Sequence, residues 1–315
     1  MTSSSPEIAV VGAGIAGASA AYRLSELGFK SRVYEAGGRP GGRMAATVIN
    51  EAIFDHGAQF FTTRGHKFRS AVDTAAADGA VKVWTHGFDE PPDGYERWRG
   101  VPDMTALASW LLSKADAMVH FAQPVDHLKN LNASAIVLTP PIPLSLALAQ
   151  RSNLEPPEKL LNELRNVEYK RTIAVLFPLE EHPESLPSHG GIQFLDDPAL
   201  AFITDNAAKG VSDAPAVTVH LSNDASLALW NEPDHQLTEF ASKHLEANIG
   251  AVVSLGSVVK RWRYAGPVQV LEESAFVWGN RPFIAMAGEA FNGPKVEGAF
   301  DSGRYAAEKI AEFFS

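Results

Sequence analysis

A glycine-rich turn near the start of the chain constrains the fold most strongly. Residues 8–11 form a short apolar run, residues 12–17 read Gly-Ala-Gly-Ile-Ala-Gly, and a helix-like pattern then continues to Leu27. A second strand-like segment follows at residues 32–35. Strand, glycine turn, helix and strand is the order of a Rossmann-type nucleotide-binding unit, so we expect an α/β fold that begins with such a unit.

The glycines of this turn fit specific tasks in binding a dinucleotide. Gly12 permits the tight turn, Gly14 lets the backbone approach a pyrophosphate, and Gly17 lets the helix pack closely on the strand. Glu35 ends the second strand, where a carboxylate can accept hydrogen bonds from ribose hydroxyls. A glycine turn with a purely structural role is the alternative interpretation.

A second glycine-rich loop, Gly-Gly-Arg-Pro-Gly-Gly-Arg-Met at residues 37–44, comes directly after Glu35. Its Arg43 can form a bidentate contact with a pyrophosphate. This loop favours FAD over NAD as the ligand. The alternative is a flexible surface loop with a solvated arginine.

The end of the chain resembles a further part of the same domain. Residues 283–287 are strand-like, Gly288 and Glu289 follow, residues 292–294 read Asn-Gly-Pro as a loop, and an amphipathic helix is expected over residues 297–314. If both ends of the chain build one cofactor domain, the second lobe is an insertion.

The middle of the chain supplies that second lobe. Strand-like segments lie at residues 172–177, 202–203 and 216–221, and helical spacing covers residues 235–249 before Gly250. We predict an α+β substrate domain with a mixed sheet. The predicted division is a discontinuous FAD-binding domain at residues 1–74, 101–146 and 264–315, and a substrate domain at residues 75–100 and 147–263.

Composition excludes several classes of function. The chain of 315 residues is 45% hydrophobic, carries a net charge of −10 and holds no cysteine. The charge opposes binding to nucleic acid and to anionic membranes, and the missing cysteine excludes disulfides and a cysteinyl flavin link. Neither a metal-binding His-Glu-x-x-His helix nor a secretory signal occurs, so we expect no metal site and a cytoplasmic location.

Taken together, the motifs resemble those of the flavin amine oxidase superfamily, and most closely its renalase-like branch. The segments that carry the resemblance are the two glycine loops, Asp-His-Gly-Ala-Gln-Phe-Phe-Thr at residues 55–62, Trp-Arg-Gly-Val-Pro-Asp-Met at 98–104, Val-Leu-Thr-Pro at 137–140, Arg-Trp-Arg-Tyr at 261–264 and Lys-Val-Glu-Gly-Ala at 295–299. The resemblance implies noncovalently bound FAD in a glutathione-reductase-like domain.

The cofactor-binding residues that the motifs and the resemblance imply come from both ends of the chain. They are Gly12, Ala13, Gly14, Ala16, Gly17, Glu35, Ala36, Gly42, Arg43, Met44, Gly57, Ala58, Gln59, Phe60, Val125, Thr139, Gly288, Glu289, Glu297, Gly298 and Ala299.

The substrate is less constrained by the sequence than the cofactor. Where amine oxidases of this superfamily usually have a cage aromatic, this chain has Lys295, which suits an anionic donor better than a protonated amine. The resemblance implies oxidation of misreduced 1,2-dihydro- and 1,6-dihydro-NAD(P) by hydride transfer to FAD, with dioxygen as the acceptor. His220, Lys295 and Asn206 are the predicted catalytic or pocket residues. Arg263 is a weaker candidate, and an interdomain ion pair is its favoured interpretation.

Two alternatives stay open. A flavin-dependent amine oxidase or related desaturase would keep the fold and change the pocket chemistry. A noncatalytic flavin-binding protein would keep the FAD loops alone.

Overall fold

The first strand is buried along its whole length because helices cover both faces of its sheet. The computed structural model describes residues 6–89, 91–291, 293 and 295–315. In chain order, its strands are β1 (Ile8–Val11), β2 (Ser31–Tyr34), β3 (Ala46–Ile49), β4 (Ala52–Asp55), β5 (Val81–Thr85), β6 (Arg97–Gly100), β7 (Ala117–His120), β8 (Ala135–Leu138), β9 (Tyr169–Pro178), β10 (Gly191–Gln193), β11 (Leu200–Asp205), β12 (Ala216–Leu221), β13 (Val258–Pro267), β14 (Phe276–Trp278) and β15 (Phe283–Met286).

The helices lie mostly around this first sheet. They are α1 (Ile15–Glu26), α2 (His66–Ala77), α3 (Ala106–Lys114), α4 (Ile142–Arg151), α5 (Glu158–Arg165), α6 (Asn223–Ala228), α7 (Asp234–Ile249) and α8 (Lys295–Phe314), with short 3-10 turns at Gly42–Met44 and Leu128–Leu131. The last helix starts two residues earlier than expected. Within the described part of the chain, no helix combines the length and apolar character needed to cross a bilayer.

The first sheet contains strands from both ends of the chain. Its order is β14-β15-β8-β1-β2-β7, with β14 antiparallel and the other pairs parallel. Val10 of β1 pairs with Val137 of β8, which in turn pairs with Ala285 of β15. Only β8 therefore separates the last strand of the chain, β15, from the first strand, β1. An inserted second lobe requires such an arrangement.

The second sheet has the order β10-β11-β12-β9-β13, and each described pair is antiparallel. One face packs on helix α7 through a core that includes Val219 and Leu245. The predicted α/β class with a separate substrate sheet is confirmed. Each described strand pair of the predicted mixed sheet is antiparallel. Loops join β10 to β11 and β11 to β12, whereas helices α6 and α7 connect β12 to β13.

The β5–β6 hairpin contacts both parts of the molecule. Val81 and Trp98 are buried in the core of the first sheet, whereas the indole Nε1 of Trp84 donates to the carbonyl of His189, 2.7 Å away and just before β10. Sequence alone assigned this hairpin to the substrate domain. The domain boundaries stay predictions, and so does the loop interpretation of residues 292–294, of which Asn292 and Pro294 lie outside the described residues.

Helices α1 and α8 pack in close contact, and this contact joins the two ends of the chain. Gly303 lies against α1 so closely that a Cβ at this position would overlap the carbonyl oxygen of Ala16 and lie 2.5 Å from Ser19 Oγ. The Ser19 hydroxyl donates to the carbonyl of Phe300 at 2.6 Å. Arg23 pairs with Glu308 at 3.0 Å further along the same interface.

We predict that Gly303→Ala destabilises the protein by about 2 kcal/mol, although alanine is the better helix former, because the added methyl group forces α1 and α8 apart. Denaturant-induced unfolding followed by circular dichroism measures this change. Gly38→Ala is the matched control, because a Cβ there meets nothing within 4 Å. Equal stability of the two variants would contradict the close contact.

Candidate active site

A large cavity of ≈ 2280 Å³ extends from the glycine loops at one end to the second sheet at the other. Its walls contain most of the residues predicted to bind a cofactor. Those that line it are Gly12, Gly14, Ala16, Glu35, Ala36, Gly42, Arg43, Met44, Gly57, Ala58, Gln59, Phe60, Val125, Thr139, Glu289, Glu297, Gly298 and Ala299. Segments separated by more than two hundred residues thus meet around one space.

The two glycine loops form one continuous wall of this cavity. The amide of Gly41 donates to the carbonyl of Ala13 at 3.0 Å, and a Cβ on Gly14 would lie 3.8 Å from the Cα of Gly42. Gly14 precedes helix α1 and caps it without any side-chain hydrogen bond. The first amides of α1 therefore face the cavity, which is the arrangement that binds a phosphate group.

Three predicted cofactor residues lie behind this wall instead of on it. Gly17 packs against Gly12, because a Cβ on Gly17 would overlap the Gly12 carbonyl. The amide of Ala13 donates to Glu35 Oε2 at 2.8 Å, and the amide of Gly288 donates to the Ser302 hydroxyl at 2.9 Å. Their contribution is to shape the wall.

The Glu35 carboxylate is held by backbone amides at the edge of the cavity. Oε2 accepts from Ala13 and Oε1 accepts from Gly37 at 2.7 Å. Each carboxylate oxygen has two lone pairs, so both oxygens can accept a further hydrogen bond from a ligand hydroxyl. This geometry is compatible with the predicted contact to ribose.

Arg43 forms a bidentate ion pair with Glu289, and its guanidinium also donates to the carbonyl of Tyr264 at 3.3 Å. The sequence predicted separate ligand contacts for Arg43 and Glu289. The structure instead joins them across the cavity wall, and Tyr169 packs edge-on against Tyr264 next to them. Burial, followed by the nearby Glu289 carboxylate, raises the pKa of Tyr169.

The start of helix α8 forms another part of the wall. Gly298 packs so closely on Gly293 that a Cβ would overlap the Gly293 carbonyl. Glu297 accepts hydrogen bonds from the amides of Arg64, at 3.0 Å, and Gly65, where helix α2 begins. Glu297 therefore also serves to cap α2. Lys295 has a left-handed backbone, with φ 78°, and lines the cavity.

The second sheet supplies the opposite wall. His220, predicted from the sequence, lines the cavity together with Lys170, Thr172, Phe202 and Trp262, which were not predicted individually. Alternation along a strand could have indicated Lys170 and Thr172 as a pair on one face. No local pattern in the sequence shows which face of that sheet points toward the cavity.

Two buried histidines lie at this wall. His220 Nε2 is 3.1 Å from the carbonyl of His56, and the Trp262 indole donates to the same carbonyl at 2.8 Å. The imidazole of His56 stacks on Trp262 with ring centroids 5.3 Å apart. Burial lowers the pKa of each histidine to about 4, with Lys260 adding to the effect at His56 and Lys209 at His220. Both imidazoles are therefore neutral at pH 7.

Asn206, predicted as a pocket residue, does not line the cavity. It is fully buried, its side-chain amide donates to Thr218 Oγ1 at 2.9 Å, and its carbonyl oxygen accepts from the amide of Asp55 at 3.0 Å. This prediction needs correction, because the side chain of Asn206 is engaged in linking β12 to β4. Arg263, for which the sequence favoured an interdomain ion pair over a role in the pocket, does line the cavity.

Within the described residues, no group of three or more His, Asp or Glu side chains is arranged to hold a metal ion.

Comparison with known proteins supports the nucleotide-binding part of this site. Residues 10–75 match the family model of the NAD(P)-binding Rossmann-like domain. In sequence, the chain is 40% identical over 70 residues to protoporphyrinogen oxidase 2 of Arabidopsis thaliana, and 40% identical over 60 residues to the mitochondrial protoporphyrinogen oxidase of Nicotiana tabacum. These matches cover 22% and 19% of this chain, and only 14% and 12% of the relatives.

Solved structures match almost the whole chain. A candidate protoporphyrinogen oxidase from Exiguobacterium sp. 255-15 aligns with a TM-score of 0.73, and cyclohexylamine oxidase from Brevibacterium oxydans IH-35A with 0.71. Each is 13% identical, and each alignment covers 98% of this chain and 99% of the other. The chain therefore shares the overall fold of these two solved structures.

The neutral buried His220 predicts how stability depends on pH. An unfolded histidine takes up its proton as the pH falls through about 6.5, whereas folded His220 does so only near pH 4, so falling pH favours the unfolded state. Between pH 7 and pH 5, we expect His220 to account for about 2 kcal/mol of lost stability. His220→Gln, which keeps a donor for the His56 carbonyl, should abolish that part of the loss.

Urea unfolding at pH 7 and pH 5 measures the effect. His235→Gln, at an exposed position of α7, is the control and should behave as the wild type does. An equal loss of stability between pH 7 and pH 5 in His220→Gln and in the wild type would contradict the lowered pKa of His220.

Proposed function

We propose that this chain is a FAD-dependent oxidase that removes a hydride from a small anionic donor. The observation that carries the proposal is one cavity that joins a nucleotide-binding wall to a second wall with two unpaired cations, Lys170 and Arg263. A cofactor bound at the first wall and a donor bound at the second would lie next to each other in this cavity.

The residues present fit FAD. The glycine loops leave a side-chain-free cradle at Gly14 and Gly42, the N-terminus of α1 faces it, and the Glu35 carboxylate has free lone pairs. The chain contains no cysteine, so the flavin has no cysteinyl attachment and we propose that it is held noncovalently.

Arg43, fixed by Glu289, would place positive charge beside the pyrophosphate. When bound, the flavin supplies a hydride acceptor, and we propose that dioxygen restores its oxidised form and yields hydrogen peroxide.

The charges around the cavity indicate an anionic donor. Three of its six described acidic residues are paired with arginines: Glu289 with Arg43, Asp93 with Arg97, and Glu96 with Arg69. By contrast, the exposed cations Lys170, Arg263 and Lys295 form no ion pair with any described carboxylate. Unpaired cations attract phosphate or carboxylate groups and repel a protonated amine.

A misreduced dihydronicotinamide dinucleotide fits these charges, and the renalase-like motif set supports the same donor. Its pyrophosphate would bind to Lys170, Arg263 or Lys295, while its ring would lie near Phe202 and Trp262. Loss of a hydride makes the ring aromatic and releases no proton, so the step needs positioning without a general base. The neutral His220 and His56 agree with this requirement, since neither has to exchange a proton.

The comparisons favour a second candidate, an amine oxidase or related desaturase. The similar solved structures include a cyclohexylamine oxidase, and the sequence relatives are protoporphyrinogen oxidases. Trp262 and Tyr264 line the cavity and could form an aromatic face for such a substrate. The donor, not the fold, distinguishes the two candidates.

Anaerobic stopped-flow spectroscopy separates these candidates. We expect 1,2-dihydro-NAD(P) to bleach the flavin absorbance within seconds. We expect 1,6-dihydro-NAD(P) to react more slowly and cyclohexylamine not to react. Fast bleaching by an amine alone would establish the second candidate, and bleaching by no donor would indicate a noncatalytic flavin-binding protein.

Lys170→Met should raise the KM for the dinucleotide about tenfold, because it removes a phosphate contact. Lys243→Met, at an exposed position of α7, is the control.

Arg43→Ala should lower the flavin content of the purified protein and weaken FAD binding at least tenfold, because it removes a charged contact and leaves Glu289 as an unpaired buried anion. The ratio of absorbance at 450 nm to that at 280 nm measures flavin occupancy. The control is Arg165→Ala, at an exposed position, which should show about the wild-type ratio. Full occupancy in Arg43→Ala would contradict this role.

A further inference from the structure

A buried ion pair lies behind the cavity wall, outside the residues that line it. Lys209 Nζ is 2.7 Å from Asp55 Oδ2, and both side chains are completely inaccessible to solvent. Lys209 also lies over the ring of Trp84, 4.9 Å from its centroid. The proposed reaction uses neither charge directly.

Asp55 connects several segments of the chain at the base of the cavity. Its other carboxylate oxygen accepts from the amide of Met104 at 2.9 Å. Its backbone amide donates to Asn206, and its carbonyl accepts from Thr218 Oγ1 at 3.1 Å. The segment that starts at Asp55 is therefore anchored to the second sheet and to the start of α3.

The segment at residues 55–60, here called the wall loop, reaches the cavity through its later residues. Gln59 donates to the carbonyls of Asp55, at 2.9 Å, and Gly57, at 3.1 Å. Lys209 Nζ also lies 3.5 Å from Gln59 Oε1. The ammonium group therefore contacts Asp55 at the start of the wall loop and Gln59 near its end. Gln59 and Phe60 then line the cavity.

The energetics of the pair point to a role beyond stability. Moving two charges out of water costs several kcal/mol per ion, and apolar side chains of the same volume often stabilise a core equally well. Burial raises the pKa of Asp55 and lowers that of Lys209, and their mutual attraction opposes both changes. Unlike an apolar pair, the ion pair of Lys209 and Asp55 makes directional contacts, and these select one conformation of the wall loop.

We propose that Lys209 is a positioning residue, whose contacts with Asp55 and Gln59 hold the wall loop in the single conformation that shapes the cavity. The effect of Lys209 on the conformation of the wall loop does not depend on the proposed function, whereas its effect on catalysis rests on it. A loosened wall loop would misplace a bound cofactor relative to the donor and would slow the transfer step.

Hydrogen exchange followed by mass spectrometry, on the purified full-length protein with whatever cofactor it carries, tests the structural part. In Lys209→Met, amides of residues 55–61 should exchange about tenfold faster, because Asp55, His56, Ala58 and Phe61 donate hydrogen bonds that the loosened loop breaks. Amides of β9 should be unchanged. Leu245→Ala controls for general destabilisation, because Leu245 is buried in the second-sheet core away from the wall loop.

Unchanged exchange of the wall loop in Lys209→Met, or an equal acceleration in Leu245→Ala, would overturn the proposal. If Lys209→Met does not fold, Asp55→Asn combined with Lys209→Met takes its place, since this double variant removes both charges of the ion pair. It should show the same faster exchange at residues 55–61, and wild-type exchange there would equally overturn the proposal.

Kinetics provide the second readout. With the donor that reduces the wild-type flavin, Lys209→Met should lower kcat about tenfold and leave KM within about twofold, because the donor-binding cations are untouched. A raised KM with an unchanged kcat would contradict a positioning role. If the wild type reduces no donor, the proposed function fails, and the exchange measurement still decides the role of Lys209.

Discussion

The contact between helices α1 and α8 is the constraint on which the rest of the molecule depends. Gly303 and Ser19 bring the backbones of the two helices together, and the parallel pairing of β1 with β8 and of β8 with β15 fixes them over one sheet. Because of this contact, the glycine turn at the start of the chain and the α8 N-terminus near its end face the same cavity. The second sheet can then close that cavity from the other side.

The cavity combines two walls with different physical characters. The first is built from glycines, helix amides and a carboxylate, which suit a dinucleotide. The second carries Lys170 and Arg263 with the aromatic face of Trp262 and a neutral His220. The wall loop lies between them, held by Asp55 and Lys209 from behind. In the proposed reaction, these features make binding and orientation, more than proton transfer, the steps to which the protein contributes.

Local patterns in the sequence predicted the parts of the site that depend on the backbone. The positions of Gly12, Gly14 and Glu35 follow from strand, turn and helix periodicity, and both ends of the chain do share one sheet. Asn206 was placed wrongly because its proximity to a strand end does not reveal that Asp55 and Thr218 engage its side chain. The pairing of Arg43 with Glu289, separated by 246 residues, likewise depends on tertiary packing that no local pattern shows.

Identification of the cofactor that the purified protein carries would show whether both ends of the chain together bind FAD. The protein is purified and denatured, and the released chromophore is identified and quantified against the protein concentration. The account predicts about one FAD per chain, released without proteolysis because it is held noncovalently. A colourless protein that takes up no added FAD would contradict the account.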